Sequence, residues 1–294
     1  MKILIFSLGE KGFKVVKALI ESKKIKTISC VIGQDKGVDN DYSSTLIIFC
    51  QKHGVNYTFR KNTTYIEEDY DFFLAVGWRW IIRDISQKKL IVFHDSLLPK
   101  YRGFSPLVNA LKKREKTTGV TALLGAEDYD KGNILMQKKM DITYPTHIKD
   151  EIKRISNVYA NLAVDLFDSI INKRIDIHGF QQDENEATYS LWLDEGDYRI
   201  NWSDDASNIE HFINCVGQPY MGAAAILNKT IVRIFEAKAI EDIKIENRSP
   251  GKVIFIQANY PVVVCGKGLL VLMDVKNDLG ETILPLKLFR SKFQ

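Results

Sequence analysis

A chain of 294 residues has room for two domains or one large one. With 45% hydrophobic and 27% charged residues it has the composition of a globular protein, and a net charge of +4 with acids and bases intermixed is too weak to argue for nucleic acid. Four cysteines, at 30, 50, 215 and 265, form no CxxC pair and no ligand-spaced cluster with histidine, so buried thiols in a reducing compartment are expected, not a disulfide frame or a metal site. Lys2–Leu8 is too short a run for a signal peptide and no apolar stretch reaches spanning length, so a cytoplasmic protein without membrane contact is expected.

In chain order, Lys2–Ser7 is an apolar run stopped at Gly9, the pattern of a buried strand. Lys11–Glu21 follows as a helix with Phe13, Val16, Leu19 and Ile20 on one stripe, then a strand at Thr27–Ile32 and a helix at Ser43–Lys52 capped by Ser43 or Ser44. Further strands are predicted at Phe72–Val76 and Leu90–Phe93. This alternation argues for an α/β domain with a parallel sheet and helices on both faces, where ligands bind beyond the carboxyl ends of the strands. Pro106–Lys113 is helical, Val120–Leu124 and Ile134–Lys138 are strands, and Ile148 to Ile171 is the longest helix, with Ile148, Ile152, Ile155, Tyr159, Leu162 and Leu166 recurring at three and four. The character changes near residue 180, which sets a first domain at 1–180, a polar linker at 181–196 and a second domain at 197–294. That second domain holds one helix (Ala206–Val216) and short strands at Ala223–Leu227, Thr230–Ala237, Lys252–Gln257, Pro261–Cys265 and Leu269–Asp274. The spacing suits a small barrel, and a sandwich equally.

The chemistry concentrates in His94-Asp95-Ser96-Leu97-Leu98-Pro99-Lys100-Tyr101-Arg102-Gly103 and, 36 positions after the histidine, in Tyr129-Asp130-Lys131-Gly132-Asn133-Ile134-Leu135. His94 ends a strand beside a Gly/Pro-rich basic loop, a place with the partial water access that acid–base work needs. Alone, Asp130 reads as a turn residue; beside His94 it reads as the carboxylate that would orient the imidazole and favour its charged form. Lys100, Arg102, Gly103 and Ser105, the last as cap of the next helix, form a candidate phosphate seat, with Lys11-Gly12 as a weaker second one. Gly9-x-x-Gly12 is not a full dinucleotide fingerprint and there is no P-loop, so neither NAD nor ATP is expected. Gly77-Trp78-Arg79-Trp80-Ile81-Ile82, after a strand, reads either as core or as the wall of a flat heteroaromatic ligand.

These motifs resemble the formyltetrahydrofolate-dependent formyltransferase superfamily, whose members act on glycinamide ribonucleotide, methionyl-tRNA or nucleotide-linked amino sugars. The stretch His94 to Gly103 is similar to its HxSLLPxxRG, Thr118-Gly119-Val120-Thr121 to its TGVT, and Tyr129 to Leu135 to its LDTGDIL-like element. Ala187-Thr188-Tyr189, Ile200-Asn201-Trp202 and Pro219-Tyr220-Met221-Gly222-Ala223 resemble the C-terminal domain of the tRNA and sugar enzymes. The resemblance implies a Rossmann-like first domain that binds 10-formyltetrahydrofolate and an OB-like barrel after it. It implies that His94 and Asp130 belong to a catalytic trio, and that Gly77 to Ile82 and the loop Glu127, Asp128, Tyr129 and Gly132 border the pteridine. The implied reaction is acyl transfer: an amine attacks the formyl carbon, a tetrahedral oxyanion forms, and a histidine held by aspartate supplies charge and proton transfer as the folate nitrogen leaves. No metal is called for. The family's asparagine, two residues before the histidine, is replaced here by Val92. Loss of such a donor costs about 2.7–4 kcal/mol, and Asn109 is the candidate surrogate.

The acceptor is addressed by Gln34-Asp35-Lys36-Gly37-Val38-Asp39-Asn40-Asp41. At this place the tRNA enzymes carry a basic insertion, whereas this chain has one base against three acids. A phosphate backbone would be repelled. The expected acceptor is therefore a UDP- or dTDP-linked amino deoxysugar destined for a surface glycan, with its pyrophosphate at Arg102, Lys100 or Lys11, and no nucleic acid partner. A methionyl-tRNA formyltransferase and a non-catalytic folate or nucleotide-sugar binding protein are the alternatives. A homodimer is compatible with all three.

Overall fold

The computed structural model describes every residue except Lys36 and Asp39. The chain forms two compact units, Met1–Thr143 with Asp150–Trp192, and Tyr144–Lys149 with Leu193–Gln294. The stretch expected as a linker, 181–196, is therefore divided between them. Its first part is held inside the first unit: β6 (Arg102–Gly103) pairs in parallel with β9 (Tyr189–Ser190).

The first unit is built on a seven-stranded sheet of β1 (Lys2–Ser7), β2 (Thr27–Ile32), β3 (Asn56–Phe59), β4 (Phe72–Val76), β5 (Leu90–His94), β7 (Thr117–Leu124) and β8 (Ile134–Asp141), in the order β3-β2-β1-β4-β5-β7-β8. The strands from β1 to β5 run parallel, as the βα alternation predicts. β7 runs antiparallel to β5, and β8 antiparallel to β7. The expected parallel sheet thus carries two antiparallel strands at one edge. The connection after β5 stays at the carboxyl end of the sheet, and a chain that does not cross back must return antiparallel.

Helices α1 (Gly9–Ser22), α2 (Ser43–His53), α3 (Pro106–Lys112) and α4 (Ile148–Ile171) follow the predicted periodicity. In α1, Gly12, Val15, Val16 and Leu19 are buried. In α4, Ile148, Ile155, Tyr159, Leu162 and Leu166 are. Neither Ser43 nor Ser44 caps α2: the helix begins after Tyr42, which has a left-handed backbone, and the Asp41 carboxylate accepts the Ser43 N–H at 2.9 Å. β2 and β4 flank β1 on opposite sides, so the carboxyl end of β1 is the switch point of the sheet, the usual crevice of such folds. Gly77 turns away from β4 there at φ +61, and a Cβ on it would meet the Leu8 carbonyl oxygen at 2.6 Å.

The second unit contains α5 (Ala206–Val216) and the antiparallel strands β10 (Ala223–Leu227), β11 (Thr230–Ile240), β12 (Val253–Gln257), β13 (Tyr260–Val264) and β14 (Leu269–Asn277), in the order β10-β11-β14-β13-β12. The C-terminal tail closes the two open edges. Phe293 bridges Leu227 of β10 and Lys292 bridges Lys252, just before β12. Ile226 and Gln294 exchange hydrogen bonds of 2.7 and 2.9 Å. Closure removes free strand edges, which favours the barrel over the sandwich. Among the described residues no helix is long and apolar enough to cross a membrane.

Candidate active site

His94 is the last residue of β5 and is 7% exposed. Its Nε2 donates to the Tyr101 carbonyl at 2.8 Å, and its Nδ1 faces Asp130 Oδ1 at 3.3 Å. Both neighbours are acceptors, so a ring with a proton on each nitrogen satisfies both, whereas a neutral ring satisfies one. The sequence-predicted pair therefore shares one site, with the two residues contributed by different ends of the β5–β8 segment.

Asp130 is fixed from three directions. Its Oδ2 accepts the Gly103 N–H at 2.8 Å, its Oδ1 meets His94, and its backbone carbonyl accepts from Gln182 Nε2 at 2.7 Å. Gln182 also donates to the Gly132 carbonyl at 2.8 Å. A Cβ on Gly132 would overlap the Leu124 carbonyl oxygen, so this glycine lets the turn fold back onto the end of β7. Asp130, Tyr101 and Ser105 all have positive φ, at 57, 60 and 50°. Non-glycine residues in that region are costly and cluster where surrounding structure imposes a functional geometry.

Most residues of the phosphate seat expected around this loop are engaged within the protein. Arg102 is wholly buried. Its guanidinium donates to Gln182 Oε1 (3.1 and 2.8 Å), both Glu184 oxygens (2.8 and 2.7 Å) and Tyr189 Oη (3.3 Å). The hydrogen bond to Glu184 holds this guanidinium even more firmly charged than usual, against the cost of burial, and the same bond holds the Glu184 carboxyl below its ordinary range. Arg102 braces the Asp130 turn through Gln182. The Gly103 N–H is occupied by Asp130. Ser105 stands at the start of α3 without a side-chain cap, and that helix has only seven residues. Lys11 is paired with Asp95, and Gly12 lets α1 lie against β1, where a Cβ would overlap Ser7 Oγ. Of the proposed phosphate ligands Lys100 alone remains exposed.

Asn109 donates from Nδ2 to the carbonyls of Ser105 (3.0 Å) and Leu191 (3.3 Å), which ties α3 to the segment directly after β9. Val92 packs with Leu98, Leu123 and Ile134 in an apolar cluster. Trp78 and Ile82 pack on the sheet-face cluster of Leu4, Phe6, Val31 and Phe73, which is the core reading of these residues. Trp80 lies 4.8 Å from Trp78 and carries the Arg60 guanidinium 4.4 Å above its ring. Arg79 pairs with Asp35 at 2.6 Å, while Ile81 is 70% exposed. Glu127 and Asp128 are exposed, and so is Tyr129, whose ring sits 5.9 Å from that of exposed Phe104.

Two residues beside the pair carry no sequence prediction of function, Asp95 and Tyr159. Tyr159 Oη and Lys11 Nζ both donate to the Asp95 carboxylate. Adjacency to His94 was the signal available for Asp95. Tyr159 lies 64 positions further on, inside the core stripe of α4, and nothing local distinguishes it.

With this geometry in place, comparison with known proteins gives a consistent result. Residues 62–165 match the Formyl transferase family and residues 193–292 the Formyl transferase, C-terminal domain, together more than half of the chain. The chain belongs to the formyl transferase family. It is 32% identical over 179 residues to the methionyl-tRNA formyltransferase of Thermotoga neapolitana, a match covering 60% of this chain and only 55% of that enzyme. It is 26% identical over 291 residues to the Clostridium novyi enzyme of the same name, covering 94% and 92%. Among solved structures, the N-formyltransferase from Helicobacter canadensis in complex with folinic acid and dTDP-3-aminofucose shares the fold, with a TM-score of 0.70 at 18% identity over 93% of this chain and 99% of that one. The mixed sheet and the barrel are thus the fold of this family.

Proposed function

We propose that this protein transfers a formyl group from 10-formyltetrahydrofolate to the amine of a UDP- or dTDP-linked amino deoxysugar. The observation that carries formyl transfer is the His94–Asp130 pair, with Nδ1 and Oδ1 3.3 Å apart at the carboxyl end of the sheet. The folate supplies the formyl carbon and a nitrogen that can leave. Side chains suited to such a flat ligand are exposed: the rings of Tyr129, next to Asp130, and of Phe104, directly after β6, and Ile81 on the segment after β4. Gly77, at the switch point, lets the segment after β4 start close against the Leu8 carbonyl.

The chain's own residues divide the work. Asp130, fixed by the Gly103 N–H, orients the imidazole and balances its charge. His94 in its charged form stabilises the negative oxygen that develops when the amine adds to the formyl carbon, and it holds a proton for the departing nitrogen. Val92 offers no hydrogen bond, so this charge stabilisation falls more heavily on His94 than in relatives with asparagine there.

The acceptor reading rests on charge. Asp35 engages Arg79 at 2.6 Å and Asp41 accepts the backbone N–H groups of Asp35 and Ser43. Lys36 and Asp39 of the same segment lie outside the described residues. By sequence the segment holds one base against three acids, which does not suit a tRNA backbone. The H. canadensis structure, described with a dTDP-amino sugar, has the same fold. The second reading, formylation of methionyl-tRNA, is favoured by the name shared by the two curated relatives. Incubating the protein with 10-formyltetrahydrofolate and a panel of UDP- and dTDP-amino sugars, with methionyl-tRNA alongside, separates the two. Gain of one formyl group on a sugar is the expected result. Formylated tRNA with steeply salt-dependent binding, and no sugar product, would refute the acceptor assignment.

A further inference from the structure

Asp95 follows His94 directly and is gripped by two other elements. Lys11, in the first turn of α1, and Tyr159, from α4, both donate to its carboxylate, and the Lys11 ammonium lies 5.7 Å above the Tyr159 ring. Tyr159 is 1% exposed, stacks on Phe93 at 5.8 Å, and reaches the Phe93 carbonyl at 3.3 Å. Two elements, α1 and α4, therefore converge on the residues that flank His94. Burial by itself would push the Asp95 carboxyl up; Lys11, the Tyr159 hydrogen bond and the charge on His94 outweigh it and hold the carboxyl below its ordinary range. The Tyr159 phenol is pushed well up by burial, then by Asp95 and Asp130, and so stays a donor. The imidazole thus has Asp130, from the β7–β8 connection, and the Tyr101 carbonyl on its two nitrogens, and next to it in the chain Asp95, whose carboxylate is held by Lys11 from α1 and Tyr159 from α4.

We propose that Asp95 is a positioning residue for formyl transfer, and that the Lys11–Asp95–Tyr159 cluster both anchors the end of β5 and sets the electric field in which His94 works. This rests on the formyl-transfer reading. Anchoring and field can be told apart by sign. Asp95→Asn removes an anion and leaves the Lys11 ammonium unbalanced, which disfavours the protonated ring. Lys11→Met removes the cation and leaves the anion, which favours it. Lys11→Arg keeps the charge.

Steady-state kinetics across pH test this, with thermal midpoints to verify folding. Asp95→Asn is expected to lower kcat about ten- to a hundredfold with KM for both substrates within about twofold, and to move the histidine limb of the kcat profile to lower pH. Lys11→Met is expected to move that limb upward, and Lys11→Arg to leave it where the wild type has it. Proton NMR titration of the His94 ring, assigned with His94→Asn, follows the same displacements with no substrate present. Limbs that move in the same direction in Asp95→Asn and Lys11→Met, or that stay in place, overturn the proposal, as does an effect confined to KM. NMR displacements of opposite sign in a protein that formylates nothing would support the field and refute the reaction instead.

Discussion

Gln182 links the buried Arg102 to the turn that carries Asp130, and its replacement gives a direct measure of how firmly the site is built. Only Oε1 can accept from Arg102 Nε and Nη2, at 3.1 and 2.8 Å, and only Nε2 can donate to the Asp130 and Gly132 carbonyls, at 2.7 and 2.8 Å. The orientation of the amide is therefore imposed by its neighbours. Gln182→Leu keeps most of the volume and removes all four bonds in a residue that is 5% exposed. Neutral hydrogen bonds contribute about 1 kcal/mol each and those to a charged group about 1.5–3 kcal/mol. Arg102 retains Glu184 and Tyr189, so a net loss of about 3–5 kcal/mol is expected. The chain forms two compact units, and a global unfolding midpoint would mix their transitions. Hydrogen exchange by mass spectrometry reads the site locally. A loss of about 3 kcal/mol raises the opening equilibrium of peptides across 125–135 more than a hundredfold. Exchange there within about threefold of wild type would show that those carbonyls are satisfied without Gln182 and that the brace from Arg102 is incidental.

Gly132→Ala puts a Cβ into the Leu124 carbonyl oxygen, and the backbone must move. A destabilisation of about 1–3 kcal/mol and a fall in kcat of about tenfold or more are expected; wild-type turnover would show that the turn holding Asp130 has slack. Asn109→Ala loses two hydrogen bonds to the Ser105 and Leu191 carbonyls. It should cost about 1 kcal/mol of stability and leave kcat within a few-fold, while a loss of about a hundredfold would support Asn109 as the oxyanion donor. Burial, partly offset by Arg248 and reinforced by Asp242, pushes the Cys265 thiol up to about 12. The thiolate is the reactive form and it becomes abundant only as pH rises towards that value, so at pH 8 about one thiol in ten thousand is ionised. Native protein should resist iodoacetamide at Cys265 and label once unfolded in urea; rapid native labelling at pH 8 would contradict the burial.

Local pattern determined much of the scaffold. The strands Lys2–Ser7, Thr27–Ile32 and Phe72–Val76 and the helices Ile148–Ile171 and Ala206–Val216 run between the residues that periodicity alone assigns them. Their apolar spacing is set by which side chains each element must bury, and that information lies within a few neighbouring residues. β3 escapes this logic: Asn56–Phe59 is a half-exposed edge strand with no apolar run to mark it. His94 and Asp130 were legible because one closes an apolar strand and the other sits on a glycine turn, and a family motif links them. The sequence also shows Lys11, Arg102, Gly103 and Ser105 as donors near a loop. It does not show that Asp95 engages the first, that Gln182 and Glu184 surround the second, or that Asp130 occupies the third.

Those assignments were decided by tertiary structure, as were the antiparallel return of β7 and closure of the barrel by Lys292 and Phe293. The physical reason is common to all of them. Periodicity is a property of adjacent residues, whereas the fate of a charge or a strand edge depends on what lies opposite it in space. For Arg102 that means Gln182 and Glu184, and for Asp95 it means Tyr159, partners brought within reach only after the chain between them has folded.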